Sequence, residues 1–102
     1  MGNLSTEAKN TIQDIAKKIL ACSDAKYISE IFVIDGSITN GELGSHVSFM
    51  VETDPGFTNT DLYETIDAIW EDNNEYPFRL YIAVEPDGTD RSHGSLVVYK
   101  RK

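Results

Sequence analysis

The sequence predicts an α+β fold, a two-layer sandwich with two helices on one face of a four-stranded, mainly antiparallel sheet. Three observations predict it. Two segments carry apolar residues at helical spacing, four read as strands (three by alternation and one by a nearly continuous β-branched and aromatic run), and the order along the chain is αββαββ. Each hairpin has one apolar face to cover, and each amphipathic helix has one apolar stripe to bury.

The first helix is predicted over residues 6–22. Ala8, Ile12, Ile15, Ala16 and Ile19 fall on one face, while Lys9, Asp14, Lys17 and Lys18 take the other. Ser5 stands where an N-cap belongs. Residues 27–35 form a β-branched and aromatic strand, followed by a loop containing Gly36, Asn40, Gly41 and Gly44. Residues 46–52 alternate, with Val47, Phe49 and Val51 on the covered side. These two strands form a long-loop hairpin.

Asp54-Pro55-Gly56 breaks the chain, and Thr58 or Thr60 caps a second helix over about residues 60–73. Leu62, Tyr63, Ile66, Ile69 and Trp70 share one half of that helix. After Pro77, residues 78–85 alternate, Pro86-Asp87-Gly88 turns, and residues 95–101 make the last strand. The outer sheet face then carries Ser48, Met50, Tyr81, Ala83, Val97 and Tyr99. A right-handed crossover from residue 52 to residue 78 permits a circularly permuted ferredoxin-like sheet. There the second strands of the two hairpins lie in the centre and run parallel. A short echo, Asp35-Gly36 before Ser45-His46 and Asp87-Gly88 before Ser92-His93, suggests two like halves.

With 102 residues the chain is read as one domain, 1–102. Its 17 acids against 9 bases give a net charge of −8. That field opposes nucleic-acid phosphates and anionic lipid; it favours basic partners or cations, or serves only to keep the protein in solution. No apolar run is long enough to insert into a membrane. The single cysteine, Cys22, excludes an internal disulfide and thiolate clusters and slightly favours the cytoplasm. A secreted or lipid-anchored form with a trimmed signal stays open. Ile19-Leu20-Ala21-Cys22 is not itself a lipoprotein signal, because charged residues precede it.

The charge is concentrated. Residues 52–75 hold eight acids and no lysine or arginine, so the rest of the chain is balanced. Six of them, Asp61, Glu64, Asp67, Glu71, Asp72 and Glu75, form the outer half of the second helix and are the candidate partner-binding residues. Like charges at this spacing cost a few tenths of a kcal/mol per pair. Tyr63 and Trp70 stand at the margin of this face, either as anchors for a partner or as core residues. A solvated acidic face is the plain alternative.

Other candidate sites are thinner. His46 and His93 each open the second strand of a predicted hairpin, but two histidines with no third ligand do not define a metal site. The segment from Asp35 to Glu42 lacks the glycine position and terminal glutamate of a calcium loop. Tyr81 and Tyr99 could stack bases, but the charge and the missing glycine-aromatic strand motif oppose it. No nucleophile elbow, phosphate loop or zincin helix is present. The sequence therefore predicts no catalytic residues, metal or cofactor. A homodimer through the partly apolar sheet face is the second expectation.

An alternating strand, a helix ending Asp67-Ala68-Ile69-Trp70-Glu71, Pro77 and a further alternating strand make up residues 46–84. This rhythm resembles small bacterial proteins, some of them surface lipoproteins, and implies no activity. The overall profile is similar in type to polymorphic-toxin immunity proteins, which implies an inhibitor of a partner protein.

Overall fold

The computed structural model describes residues 4–34, 36–55, 61–71, 76–86 and 96–101. The elements follow in order as α1 (Thr6–Leu20), a 3-10 turn (Ala25–Tyr27), β1 (Ile28–Val33), β2 (Ile38–Thr39), β3 (Glu42–Leu43), β4 (His46–Thr53), α2 (Asp61–Glu71), β5 (Arg79–Pro86) and β6 (Leu96–Lys100). The α+β class is as predicted: two helices stand with a four-stranded mixed sheet, and a separate two-stranded ribbon is added.

Helix α1 begins where the cap predicts. Ser5 has extended backbone geometry, and its Oγ accepts the Ala8 N–H at 3.0 Å. Glu7 in the first turn and Lys17 and Lys18 in the last complement the helix dipole. Ile12, Ile15 and Ile19 face inward with Leu62, Ile66 and Ile69 of α2. Opposite them lie alternate strand residues: Ile31 and Val33, Val47, Phe49 and Val51, Leu80 and Ile82. Both helices thus cover one face of the sheet, as the periodicities require.

The four strands lie in the order β5-β4-β1-β6. β1 is antiparallel to both β4 and β6, and β4 is parallel to β5. This corrects the permuted ferredoxin-like order. The central strands are β1 and β4, the two strands of the first hairpin, and the parallel partner of β4 is β5. Helix α2 is the crossover that a parallel pair needs. β5 and β6 lie at opposite edges of the sheet, so they do not make the second hairpin predicted from Pro86-Asp87-Gly88. Residues 87 to 95 fall outside the described residues, as does Asp35, and with them most of the internal echo.

The loop after β1 is also more ordered than predicted. Thr39 and Glu42 pair across Asn40 and Gly41, whose φ angles are 54° and 80°. Two successive positive φ values are the geometry of a tight two-residue hairpin turn, which Asn-Gly suits best. The ribbon is pinned to the start of α1, where the Ser5 N–H donates to the Gly41 carbonyl at 2.9 Å. Ile38 and Leu43 rest on the main core.

A β-bulge corrects one face assignment. Ile31 pairs with Tyr99, but Phe32 pairs with Val97, so β6 has an extra residue at that point. The slip rotates Tyr99 off the predicted outer face, and it packs against the core instead. The outer face of the two central strands is not wholly wet. Phe32, Glu30 and Glu52 are all buried there.

Candidate interaction face on the second helix

The beginning of α2 is held by the segment that follows α1. Asp24 is buried, and its Oδ2 accepts the Leu62 N–H at 3.0 Å. Reciprocally, Asp61 Oδ2 accepts both the Ser23 N–H and the Ser23 hydroxyl, each at 2.8 Å. These bonds hold the Asp61 carboxyl below its usual range. The predicted caps Thr58 and Thr60 lie outside the described residues. The acceptor observed at Leu62 comes from a residue 38 positions upstream, which no local sequence pattern announces.

Past this lock the helix divides sharply. Leu62, Ile66 and Ile69 are buried. Tyr63 and Trp70 are not in the core: they keep 48% and 45% of their surface exposed. Seven residues apart, they sit on nearly the same line of the helix, about 10 Å from each other along its axis. Asp67 lies between them on that line, and Glu64 and Glu71 flank it. Glu64, Asp67 and Glu71 are all exposed.

The candidate residues therefore separate. Glu64, Asp67 and Glu71 share an open surface with the two aromatic rings. Asp61 stands at the helix start with its carboxylate engaged by Ser23, so its role is in the fold. Asp72 and Glu75 lie outside the described residues. No base stands in the last turn of α2, so Glu71 meets the negative end of the helix dipole uncompensated. The arrangement is mildly unfavourable for an isolated helix, and it concentrates negative potential around two amphipathic rings.

The remaining candidates have structural settings. His46 is exposed, contacts Ser45 Oγ through Nδ1 at 3.1 Å, and stacks on Tyr81 with ring centroids 6.1 Å apart. His93 lies outside the described residues. Among the described residues no group of three His, Cys, Asp or Glu side chains is placed to hold a metal ion. No helix among them is long and apolar enough to cross a membrane. Cys22 is buried, and desolvation raises its thiol pKa, which opposes formation of a reactive thiolate. Tyr76 joins the segment before β5 to α1. Its hydroxyl donates to Asp14 at 3.0 Å and accepts from Lys18 at 2.9 Å.

An open cavity of about 430 Å³ lies where the start of α1, the ribbon and the entry to β5 meet. Glu7, Thr11, Glu42, Ser45 and Phe78 line it. The Thr11 hydroxyl donates to the Glu7 carbonyl within its own helix, and Ser45 Oγ is engaged by His46. The chain matches no protein-family model, no curated protein and no solved structure.

Proposed function

We propose that this protein is a small non-catalytic interaction module that docks a basic partner protein through α2, in the manner of an immunity-type inhibitor. One observation carries the reading. Tyr63 and Trp70 stand exposed on a helix face whose charged residues, Glu64, Asp67 and Glu71, are all acidic. Aromatic rings supply most of the binding energy at many protein interfaces. Surrounding carboxylates steer an oppositely charged partner toward the surface and speed its association. The net charge of −8 extends the same field beyond the contact.

The test is capture of partners from host extract at low salt, comparing the wild-type chain with W70A and with the triple reversal E64K/D67K/E71K. The wild-type chain retains a basic protein that high salt releases, because screening shortens to a few ångströms near 1 M salt. The triple reversal slows its association, and W70A speeds its dissociation. Equal capture by all three chains overturns the reading.

A second reading has its own observation. Tyr81 and Val97 keep 42% and 41% of their surface exposed on the outer sheet face. This favours an envelope-associated bacterial domain that self-associates through its sheet. Recovery of copies of the chain alone, indifferent to salt, supports this reading over the first.

A further inference from the structure

The two edges of the sheet are built differently. β6 has five residues, carries the bulge against β1, and ends in Lys100. Short length, a bulge and a base all discourage the addition of another strand. β5 is longer and carries no bulge; its base, Arg79, and its proline, Pro86, stand only at its two ends, and the residues from Leu80 to Val84 between them are uncharged. Its eight residues run in unbroken register with β4, from Arg79 opposite His46 to Pro86 opposite Thr53. Among the described residues, β4 is its only strand neighbour.

The sequence of β5 is symmetric in charge about its centre. Arg79 and Glu85 are its only charged residues, three places either side of Ile82. Neither makes an ion pair with another described residue. Both belong to the outer-facing set with Tyr81 and Ala83, while Leu80 and Ile82 face the core. Glu85 also ends a row across the outer face. It stands beside Glu52, which stands beside Glu30, which stands beside Lys100. The row has a base at the β6 edge and a carboxylate at the β5 edge.

We propose that β5 pairs with β5 of a second copy, antiparallel and centred on Ile82, to give a twofold dimer with one continuous eight-stranded sheet. In this register Arg79 faces Glu85 of the second copy, and the pair occurs twice. Tyr81 faces Ala83, a large ring over a small residue, and Leu80 faces Val84. Residues directly opposite in an antiparallel pair share a face, so both ion pairs form on the outer side. A two-residue slip removes both ion pairs. A parallel arrangement sets Arg79 beside Arg79 and Glu85 beside Glu85. The contact is isologous, as a twofold interface requires. It uses a different surface from the α2 face and stands or falls independently of the partner docking proposed there.

Sedimentation equilibrium of the full chain at low ionic strength tests this, with R79E, E85R, their equimolar mixture and the double variant R79E/E85R. The wild-type chain dimerises. Each single reversal opposes like charges twice and weakens the dimer by about tenfold. The mixture recovers association, because a chain with two acids at these positions meets a chain with two bases. The double variant recovers it alone. Isotope-filtered NOEs between labelled and unlabelled wild-type copies report the register directly, with contacts from Tyr81 to Ala83. A wild-type chain that stays monomeric to about 1 mM overturns the proposal. So does a dimer indifferent to both reversals, a mixture no tighter than its components, or NOEs from another strand.

Discussion

Asp24 and Leu62 are 38 residues apart in sequence, yet the Asp24 carboxylate accepts the Leu62 backbone N–H at 3.0 Å. One bond thereby satisfies a free donor at the start of α2 and fixes where the helix sits against the end of α1. Asp61 answers it by accepting from Ser23. The two carboxylates close a reciprocal clasp between neighbouring segments.

Replacing Asp24 by alanine removes a capping acceptor from a buried position. Loss of such a cap costs about 1 kcal/mol. Urea denaturation of D24A gives a lower midpoint with an unchanged slope, since the surface exposed on unfolding stays the same. Adding D61A to D24A costs less than the sum of the two single changes, because both act on one contact.

The exposed rings and the core residues separate in a stability assay. Ile15 is fully buried, and I15A destabilises the chain by about 2–5 kcal/mol through lost burial and the cavity left behind. Tyr63 and Trp70 are about half exposed. Y63A and W70A therefore shift stability by about 0.5 kcal/mol or less in thermal or urea unfolding. A loss comparable with that of I15A would place these rings in the core and withdraw them from any interface.

The acid limb of the stability curve depends on two named carboxylates. Arg101 bonds Asp54 at 2.7 and 3.1 Å, and these bonds hold the Asp54 carboxyl below its usual range. The Ser23 bonds do the same for Asp61. Both groups have a lower pKa folded than unfolded, so the folded state binds fewer protons as the pH falls toward them. Their contribution is present above the unfolded carboxyl value of about 3.9 and is lost as pH falls through the folded values. Urea midpoints measured from pH 6 to pH 2 decline over that window. R101A and S23A each make the decline shallower. A curve unchanged in both variants shows that other carboxylates set the acid limb.

Much of the architecture was legible in the chain itself, because local residue chemistry decides it. The serine before α1, the isoleucines at helical spacing, and the alternation of Val47, Phe49 and Val51 each specify an element and its buried side. The acidic bias of α2 is likewise a property of sequence. The Asn40-Gly41 turn was readable too, since few other dipeptides accept two positive φ angles, but the surrounding glycines disguised it as plain loop. Tertiary structure decided what depends on distant partners. Strand order is one case, because an alternating strand states which face it buries and not which neighbour it takes. β5 chose β4 over β6, and a turn signal at Pro86-Asp87-Gly88 could not announce it. The bulge that turns Tyr99 inward arises from pairing with β1 and has no local mark. The exposure of Tyr63 and Trp70 is the last case. Helical spacing placed both rings beside the apolar stripe, and only the packed layer of α1, α2 and sheet fixed how wide that stripe is.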